Sequence, residues 1–290
     1  MFSTGVSRSF NVDPGHASKS SPRAPYFVMA HHRSGSNFLN DLLQAHPQIE
    51  CVNEPFSMHS TYFRQCDLEP WTTEEFDPVV LHASLASHVA LRAYLFDFRA
   101  YLSQSSDTRV LGFKDTILFE KLGWLKAFIP SLKILFLKRD PRAIVSSVLR
   151  TNLFEFWAYT RLVPPAFMRI RPNYVSQIDP ADRTVAVAEI VAMSIVTRYA
   201  LAERAIQNFD HTEVHLDDVM RQPQEQLEAI TRFLGVPPHE GPRSFLEQRQ
   251  AVSRGGMFSS FRLQEDVQHA WERHLSAAQI RAIEDVMQCQ

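Results

Sequence analysis

The chain has 290 residues, of which 45% are hydrophobic and 21% charged, enough for a sizeable core in one large domain or two smaller ones. Its formal net charge of −2 at pH 7 gives no electrostatic footprint for a nucleic-acid partner. We also expect no membrane span, because no apolar run approaches the roughly 20 residues that a span needs.

The N-terminal residues and the cysteines bear on where the protein works. Residues 1–24 are polar and contain Ser, Pro and Gly, which is typical of a flexible N-terminal tail rather than a signal peptide. Cys51, Cys66 and Cys289 are odd in number and lack metal-ligand spacing, which favours free thiols in a reducing compartment. We therefore expect a cytoplasmic protein.

The hydrophobic pattern predicts alternating strands and helices. Strands are predicted at Tyr26–Ala30, Ile49–Val52, Arg109–Phe113, Lys133–Lys138 and Glu213–Leu216. Helices are predicted near 80–103, 117–129, 141–150, 183–208 and 222–234. This alternation indicates an α/β fold with a parallel sheet of about five strands flanked by helices.

The stretch YFVMAHHRSGSNFLNDLL, residues 26–43, reads as a buried strand, a short polar loop and an amphipathic helix. Gly35 permits a tight turn, and Ser36 or Asn37 can cap the helix. Backbone N–H groups in such a turn form a concavity for an oxyanion, and Arg33 lies at its lip. The loop therefore predicts a phosphate or sulfate site; the alternative is an ordinary turn with a solvated arginine.

A second cluster lies in LKILFLKRDPRAIVSSVLR, residues 132–150. Asp140 is a natural N-cap and Pro141 occupies the favoured first helical position, so Arg139 falls at the carboxyl end of a strand. Ser147 follows Arg139 by eight residues, about two helical turns. An arginine fork with a nearby hydroxyl can bind a second phosphate, and the alternative is an Arg–Asp surface pair beside a helix.

The motifs RSGSNF and RDPRAIVSS resemble the two nucleotide motifs of the sulfotransferases that use 3′-phosphoadenosine 5′-phosphosulfate (PAPS). The resemblance implies a 5′-phosphosulfate site formed by Arg33, Ser34, Gly35, Ser36, Asn37 and Phe38, and a 3′-phosphate site formed by Arg139 and Ser147. Asn37 stands where that family usually has a hydroxyl side chain.

Three further stretches extend the resemblance. HPQIECVNEPF and LGFKDTILF are similar to the tyrosylprotein and carbohydrate branch of the family, which implies that Glu54 is the general base and that Lys114, with Arg33, acts on the transferring group. SRGGM resembles the family's C-terminal loop over the 3′-phosphate, which implies roles for Arg254 and Gly255.

The resemblance also implies the rest of the architecture. It implies a three-layer sandwich like that of P-loop NTPases, with one sulfotransferase domain over residues 25–290. Insertions near 53–108 and 151–182 would then form the acceptor site. PAPS would be the co-substrate and 3′-phosphoadenosine 5′-phosphate (PAP) the product, without a metal. The acceptor would be a small molecule or a glycan, and these motifs leave open whether it is a sugar, a peptide tyrosine or a small metabolite.

Three alternatives stay open at this point. His31 or His32 could take the acceptor proton in place of Glu54. The chain could be a P-loop phosphotransferase, although none of its nine glycines is followed by the lysine of that motif. It could also be a noncatalytic nucleotide-binding protein, which would need neither Glu54 nor Lys114.

Overall fold

A computed structural model describes residues 22–56, 77–79, 86, 88–151, 163–176, 182–251 and 269–289. Within these ranges a five-stranded parallel sheet has helices packed on both of its faces. The predicted α/β class and three-layer arrangement are confirmed.

The bounds of the elements follow the chain. The strands are β1 (Tyr26–Ala30), β2 (Ile49–Asn53), β3 (Val110–Asp115), β4 (Lys133–Lys138) and β5 (Asp210–His215). The helices are α1 (Ser36–Gln44), α2 (Val89–Leu102), α3 (Leu122–Phe128), α4 (Pro141–Arg150), α5 (Val163–Ile170), α6 (Arg183–Ala205), α7 (Leu216–Arg221), α8 (Pro223–Leu234), α9 (Glu240–Ala251), α10 (Ala270–His274) and α11 (Ala277–Gln288). Short 3₁₀ turns at Phe119–Lys121 and Ile206–Asn208 precede α3 and β5.

The strand order is β2-β3-β1-β4-β5, and every pairing is parallel. β1 lies at the centre between β3 and β4, and all five of its residues are buried, as a continuous apolar run requires. Because parallel strands all end at one edge, the loops after β1, β2, β3 and β4 meet there. Open α/β sheets bind their ligands at this edge, where the strand order reverses.

Two apolar clusters fill the space between the sheet and its helices. On one face Phe27 and Phe113 stack with ring centroids 4.6 Å apart, under α2 and α3. On the other face Tyr26 and Val28 pack against α1, α7 and α8. Gly112 pairs with Tyr26 across the β1–β3 ladder, and a Cβ at Gly112 would lie 2.4 Å from the Tyr26 ring. The glycine therefore makes room for the aromatic ring that covers it.

The long helix α6 forms a third cluster with α4, α5 and α11. Among the described residues, the segment Arg183–Asn208, which joins α6 to the 3₁₀ turn after it, is the one helical segment with an 18-residue apolar window and the length to cross a membrane. However, 61% of that apolar window is buried inside the fold. Most of its apolar surface therefore packs against neighbouring helices.

The predicted bounds of β1 and β4 are confirmed, whereas those of the last strand were wrong. β5 begins at Asp210 rather than at Glu213, and Leu216 starts α7 instead of ending the strand. β5 is an edge strand paired only with β4, and most of its side chains are polar and at least partly exposed. Such a strand lacks the apolar alternation by which strands are found in a sequence.

Candidate active site

The loop after β1 has an unusual backbone. Arg33 has φ 66° and Gly35 has φ 90°, so two residues of this short loop are left-handed. The N–H and the hydroxyl of Ser34 both donate to the carbonyl of His31, at 3.2 and 2.7 Å. Ser34 is fully buried, and its hydroxyl stabilises the fold of the loop.

The start of α1 differs from the prediction that Ser36 or Asn37 caps it. Gly35 is the N-cap residue, and no side-chain capping bond closes this end of the helix in the described structure. Ser36 and Asn37 are the first two helical residues, and their amides lie in the first turn, where N–H groups lack intrahelical acceptors. A Cβ on Gly35 would lie 2.7 Å from the Leu216 side chain, so this position needs glycine for space as well as for its φ.

Lys114 connects this loop to the end of β2. Its ammonium donates to Asn37 Oδ1 and to Glu54 Oε1, both at 2.7 Å. The Lys114 side chain is fully buried, whereas the Glu54 side chain is 36% exposed. The sequence-predicted residues Lys114, Glu54 and Asn37 therefore form one contiguous polar group, in which the lysine is buried and Glu54 and Asn37 are partly exposed.

The second predicted motif contacts the first. Arg33 Nε donates to Ser147 Oγ at 3.0 Å, and Nη1 of the Arg139 guanidinium donates to the Arg33 carbonyl at 2.8 Å. Asp140 caps α4 by accepting from the Arg142 amide at 2.8 Å, and Pro141 is the first helical residue, as the sequence predicted. The strand end and the helix start thus place Arg139 and Ser147 beside the loop.

His31 and His32 follow β1 directly and precede Arg33 of the loop. Burial, with the positive charge of Arg198 next, holds the pKa of His31 well below its usual value. The same two causes lower the pKa of His32 to about 3. Both rings are therefore neutral at pH 7.

Phe38 is the third residue of α1, and its side chain packs inside the fold. Its side chain is buried and its ring centroid lies 6.2 Å from that of Phe245, so it anchors α1 to α9. Its amide remains in the first turn of α1, beside those of Ser36 and Asn37. That Phe38 binds a nucleotide stays a prediction.

Sequence reasoning missed three residues around this site. Asp115 is buried and accepts from the amides of Phe56 and Ile117, and the Tyr94 hydroxyl donates to the carbonyl of Pro55. Arg198 of α6 acts electrostatically on both histidines. Asp115 was visible as the acid after Lys114, but nothing in the local sequence of α2 or α6 marks Tyr94 or Arg198.

Other predicted features lie outside the described residues. Arg254 and Gly255 are among them, as are most of the predicted tail, residues 57–76 and 80–85 of the first predicted insertion, and residues 152–162 and 177–181 of the second. The described part of the first insertion includes α2, whose inner face packs in the core under the sheet.

Comparison with known proteins gives a single class. The model of the "Sulfotransferase family" matches residues 25–240. The sulfotransferase domain from the Synechococcus PCC 7002 olefin synthase is 17% identical, with a TM-score of 0.50 over 94% of this chain and 98% of that one. The sulfotransferase domain from the curacin biosynthetic pathway is 15% identical, with a TM-score of 0.50 over 92% of this chain and 99% of that one. Both likenesses concern the fold. Among curated proteins, none matches this chain.

Proposed function

Because this chain belongs to the sulfotransferase family, we propose that it transfers a sulfuryl group from PAPS to a hydroxyl of an alcohol or phenol acceptor. The proposal assigns the 5′-phosphosulfate to the loop Arg33–Asn37 and the 3′-phosphate to Arg139 and Ser147. The residues suit two anionic groups, since the first turn of α1 has no side-chain cap and two arginines meet beside it.

The observation that carries the proposal is the contact between the two motifs. Residues 33 and 147 are far apart in sequence, yet Arg33 Nε lies 3.0 Å from Ser147 Oγ. A ligand with two anionic groups, such as PAPS, can reach both motifs at once because the two motifs are in contact.

Lys114 and Arg33 have the charge that the reaction needs. Sulfuryl transfer resembles phosphoryl transfer, in which the protein mainly positions the reactants and neutralises charge on the transferring oxygens. Lys114 is fully buried, and its attraction to such charge is therefore screened less than at the surface. We assign Lys114 and Arg33 to this role.

Glu54 is the proposed general base. The acceptor oxygen forms the new bond to sulfur, the bond between sulfur and the phosphate oxygen breaks, and the hydroxyl proton passes to the Glu54 carboxylate. PAP leaves with the electron pair of the broken bond. A base must lie within about 3 Å of the proton that it takes, and Glu54 is the partly exposed acid beside Lys114.

The two rival functions find less support. A P-loop phosphotransferase places a lysine within its glycine-rich loop, whereas here the lysine beside the loop comes from β3. A noncatalytic nucleotide-binding protein has no use for a partly exposed glutamate paired with a buried lysine. Both rivals remain outcomes of the experiment below.

We also propose that the enzyme works in the cytoplasm. Cys51 and Cys289 are free thiols in the described structure, and Cys51 is buried. Free thiols persist in reducing compartments. Fractionation of the native cells with an antibody to the chain tests this assignment, and recovery from an oxidising compartment would overturn it.

An acceptor screen tests the proposed function. The purified chain is incubated with PAPS or ATP and with N-acetylglucosamine, a tyrosine peptide or 2-naphthol, and products are identified by high-resolution mass spectrometry. The proposal expects sulfated product with PAPS and no phosphorylated product with ATP. Phosphorylated product alone would support the phosphotransferase, and nucleotide binding without any product would support the noncatalytic alternative.

A further inference from the structure

We infer that Tyr94 and Asp115 are positioning residues that hold Glu54 in place for proton transfer. The inference rests on the proposed role of Glu54 and adds to it. Neither residue belongs to the two nucleotide motifs, and their hydrogen bonds are to the backbone that follows Glu54. Both act on the backbone of Glu54–Pro55–Phe56, called the base turn below.

The base turn begins in a conformation that needs support. Glu54 has φ 47°, which side chains other than glycine adopt at a cost of roughly 1–2 kcal/mol. Its N–H donates to the Lys114 carbonyl at 2.7 Å, one residue beyond the paired strands β2 and β3. The strained residue Glu54 is therefore hydrogen-bonded directly to the sheet.

The next two residues are held from opposite sides. The Tyr94 hydroxyl, on α2, donates to the Pro55 carbonyl at 2.6 Å in a buried contact. The Phe56 amide donates to Asp115 Oδ2 at 3.1 Å, and Asp115 Oδ1 accepts from the Ile117 amide at 3.0 Å. Side chains from a helix and from the end of β3 therefore bind the two backbone groups that follow Glu54.

Packing fixes the end of the turn. The Phe56 side chain is fully buried and meets Tyr94, Phe98, Phe113 and Trp124 edge-on, with ring centroids 5.2–6.2 Å apart. Edge-to-face contacts of this kind stabilise one ring orientation. The base turn thus cannot shift without breaking hydrogen bonds and aromatic contacts together.

This arrangement explains how a partly exposed glutamate can act as a base with defined geometry. A misplacement of about 1 Å can cost a reaction about 10²-fold, so side chains that do chemistry need a rigid support. The Glu54 carboxylate accepts a hydrogen bond from Lys114 at 2.7 Å. Its backbone position is set by Tyr94 and Asp115.

The chain offers a matched pair of tyrosines for the test. Tyr94 and Tyr101 lie seven residues apart on α2, both are buried, and each donates its hydroxyl to β2 or the turn after it. Tyr101 donates to the Glu50 carboxylate, at the opposite end of β2 from Glu54. Tyr94→Phe and Tyr101→Phe each remove one hydroxyl, and only the first frees the base turn.

The first measurement is steady-state kinetics with PAPS and the acceptor that gains sulfate in the screen. Tyr94→Phe should lower kcat by roughly five- to tenfold, the scale of one lost hydrogen bond, with the KM for PAPS nearly unchanged. Tyr101→Phe should keep kcat within about twofold of the wild type. Equal losses of kcat in the two variants would overturn the inference.

A double variant separates positioning from general structural damage. If Tyr94 acts through Glu54, adding Tyr94→Phe to Glu54→Gln should change kcat by less than about twofold, because the base is already gone. If the second substitution costs as much in that background as in the wild type, Tyr94 acts elsewhere and the inference is wrong.

Amide hydrogen exchange tests, without any acceptor, whether Tyr94 holds the base turn. In Tyr94→Phe the amides of Glu54 and Phe56 should exchange at least roughly fivefold faster than in the wild type, while Tyr101→Phe leaves them unchanged. Unchanged exchange in Tyr94→Phe would overturn the inference that Tyr94 holds the base turn. A wild-type enzyme that sulfates nothing would overturn the proposed function instead, and exchange would still decide whether Tyr94 holds the base turn.

Discussion

Lys114 carries a charge in a fully buried position, which costs several kcal/mol unless its partners compensate. The partners here are one carboxylate and one amide oxygen, both at 2.7 Å. Replacing both members of a buried ion pair with apolar side chains often leaves a protein equally stable. Stability is therefore a weak reason for this lysine, and the proposed neutralisation of charge on the transferring group is a better one.

Glu54→Gln tests the base most directly. Glutamine keeps the shape and an oxygen for Lys114 but cannot take a proton, so turnover on an alcohol acceptor should fall roughly 10²–10⁴-fold with PAP binding nearly intact. A phenol acceptor, which is more acidic, should lose less. Turnover is compared by mass spectrometry of the sulfated product, and PAP binding by calorimetry.

Glu50→Gln is the matched control for that change. Glu50 lies on the same strand, bonded to Tyr101 and Arg109 instead of to the site, and its substitution should leave turnover within about twofold. If Glu54→Gln keeps near-full activity on a sugar alcohol, Glu54 is not the base. His31 and His32 would then have to be tested in spite of their lowered pKa values.

Arg139→Ala tests the 3′-phosphate assignment. PAP binding should weaken by roughly 2–4 kcal/mol, the scale of a lost charge-assisted pair. Binding of adenosine 5′-phosphosulfate, which lacks the 3′-phosphate, should weaken by much less. Because Arg139 also bonds the Arg33 carbonyl, some loss is expected for both ligands, and the difference between them is the informative quantity.

Arg142→Ala provides the control for that comparison. Arg142 is three residues further along and pairs with Asp140 and Glu284, away from the loop. Its removal should not change the preference for PAP over adenosine 5′-phosphosulfate. Losses of equal size for both ligands in Arg139→Ala would contradict the assignment.

Asp115 links the site to the pH dependence of stability. Burial raises the pKa of this carboxyl to about 6, against an ordinary value of 3.8. Between these two pH values the folded chain binds more protons than the unfolded chain, so the free energy of unfolding falls as pH rises, by about 3 kcal/mol in total.

Asp115→Asn removes that titration. In urea unfolding at several pH values, the stability of the wild type relative to the variant should therefore fall between pH 4 and 6 and stay level above it. The variant's lost hydrogen bonds add a constant that does not depend on pH. A difference that stays flat across the whole range would show that Asp115 is not buried as a protonatable acid.

At the scale of elements, the site depends on how β1 gives way to α1. Two left-handed residues turn the chain within a few positions and leave the first turn of the helix facing the strand ends. Gly35 is the critical residue, because its conformation disfavours a Cβ and Leu216 leaves no space for one. The loop and the start of α1 therefore pack closely against α7.

Gly35→Ala and Gly235→Ala form a matched test of this packing. Both glycines have positive φ at a helix end, at 90° and 75°, but a Cβ on Gly235 meets nothing within 4 Å. Each change should cost about 1 kcal/mol or more of stability in urea unfolding. Only Gly35→Ala should also weaken PAP binding, by roughly tenfold or more, and undiminished binding in that variant would contradict the role of the loop.

The sequence signals for individual elements had unequal strength. β4 and α4 were found with correct bounds because Asp140 and Pro141 mark a helix start by a local mechanism. The predicted cap of α1 was wrong. Ser36 and Asn37 have side chains that can cap a helix, but the left-handed turn at Gly35 makes Gly35 the N-cap residue, so that Ser36 is already helical. Propensity named Ser36 and Asn37 as possible caps, and neither of them is the N-cap residue in the structure.

At the scale of the whole molecule, the strand order assembles the site. β1 lies between β3 and β4, so the loop after β1 is flanked by Lys114 from one neighbour and Arg139 from the other. The sequence predicted these residues and their edge of the sheet. It could not predict that Lys114 bonds Asn37 or that Arg33 bonds Ser147, because such contacts depend on strand register and side-chain direction across distant segments.

A crystal structure of the chain with PAP tests the central claim most directly, namely that the two motifs bind one nucleotide through two anionic groups. The account predicts the 5′-phosphate on the amides of Ser36 and Asn37, and the 3′-phosphate within hydrogen-bond distance of the Arg139 guanidinium and the Ser147 hydroxyl. A nucleotide bound elsewhere, or with its 3′-phosphate away from Arg139 and Ser147, would contradict the account.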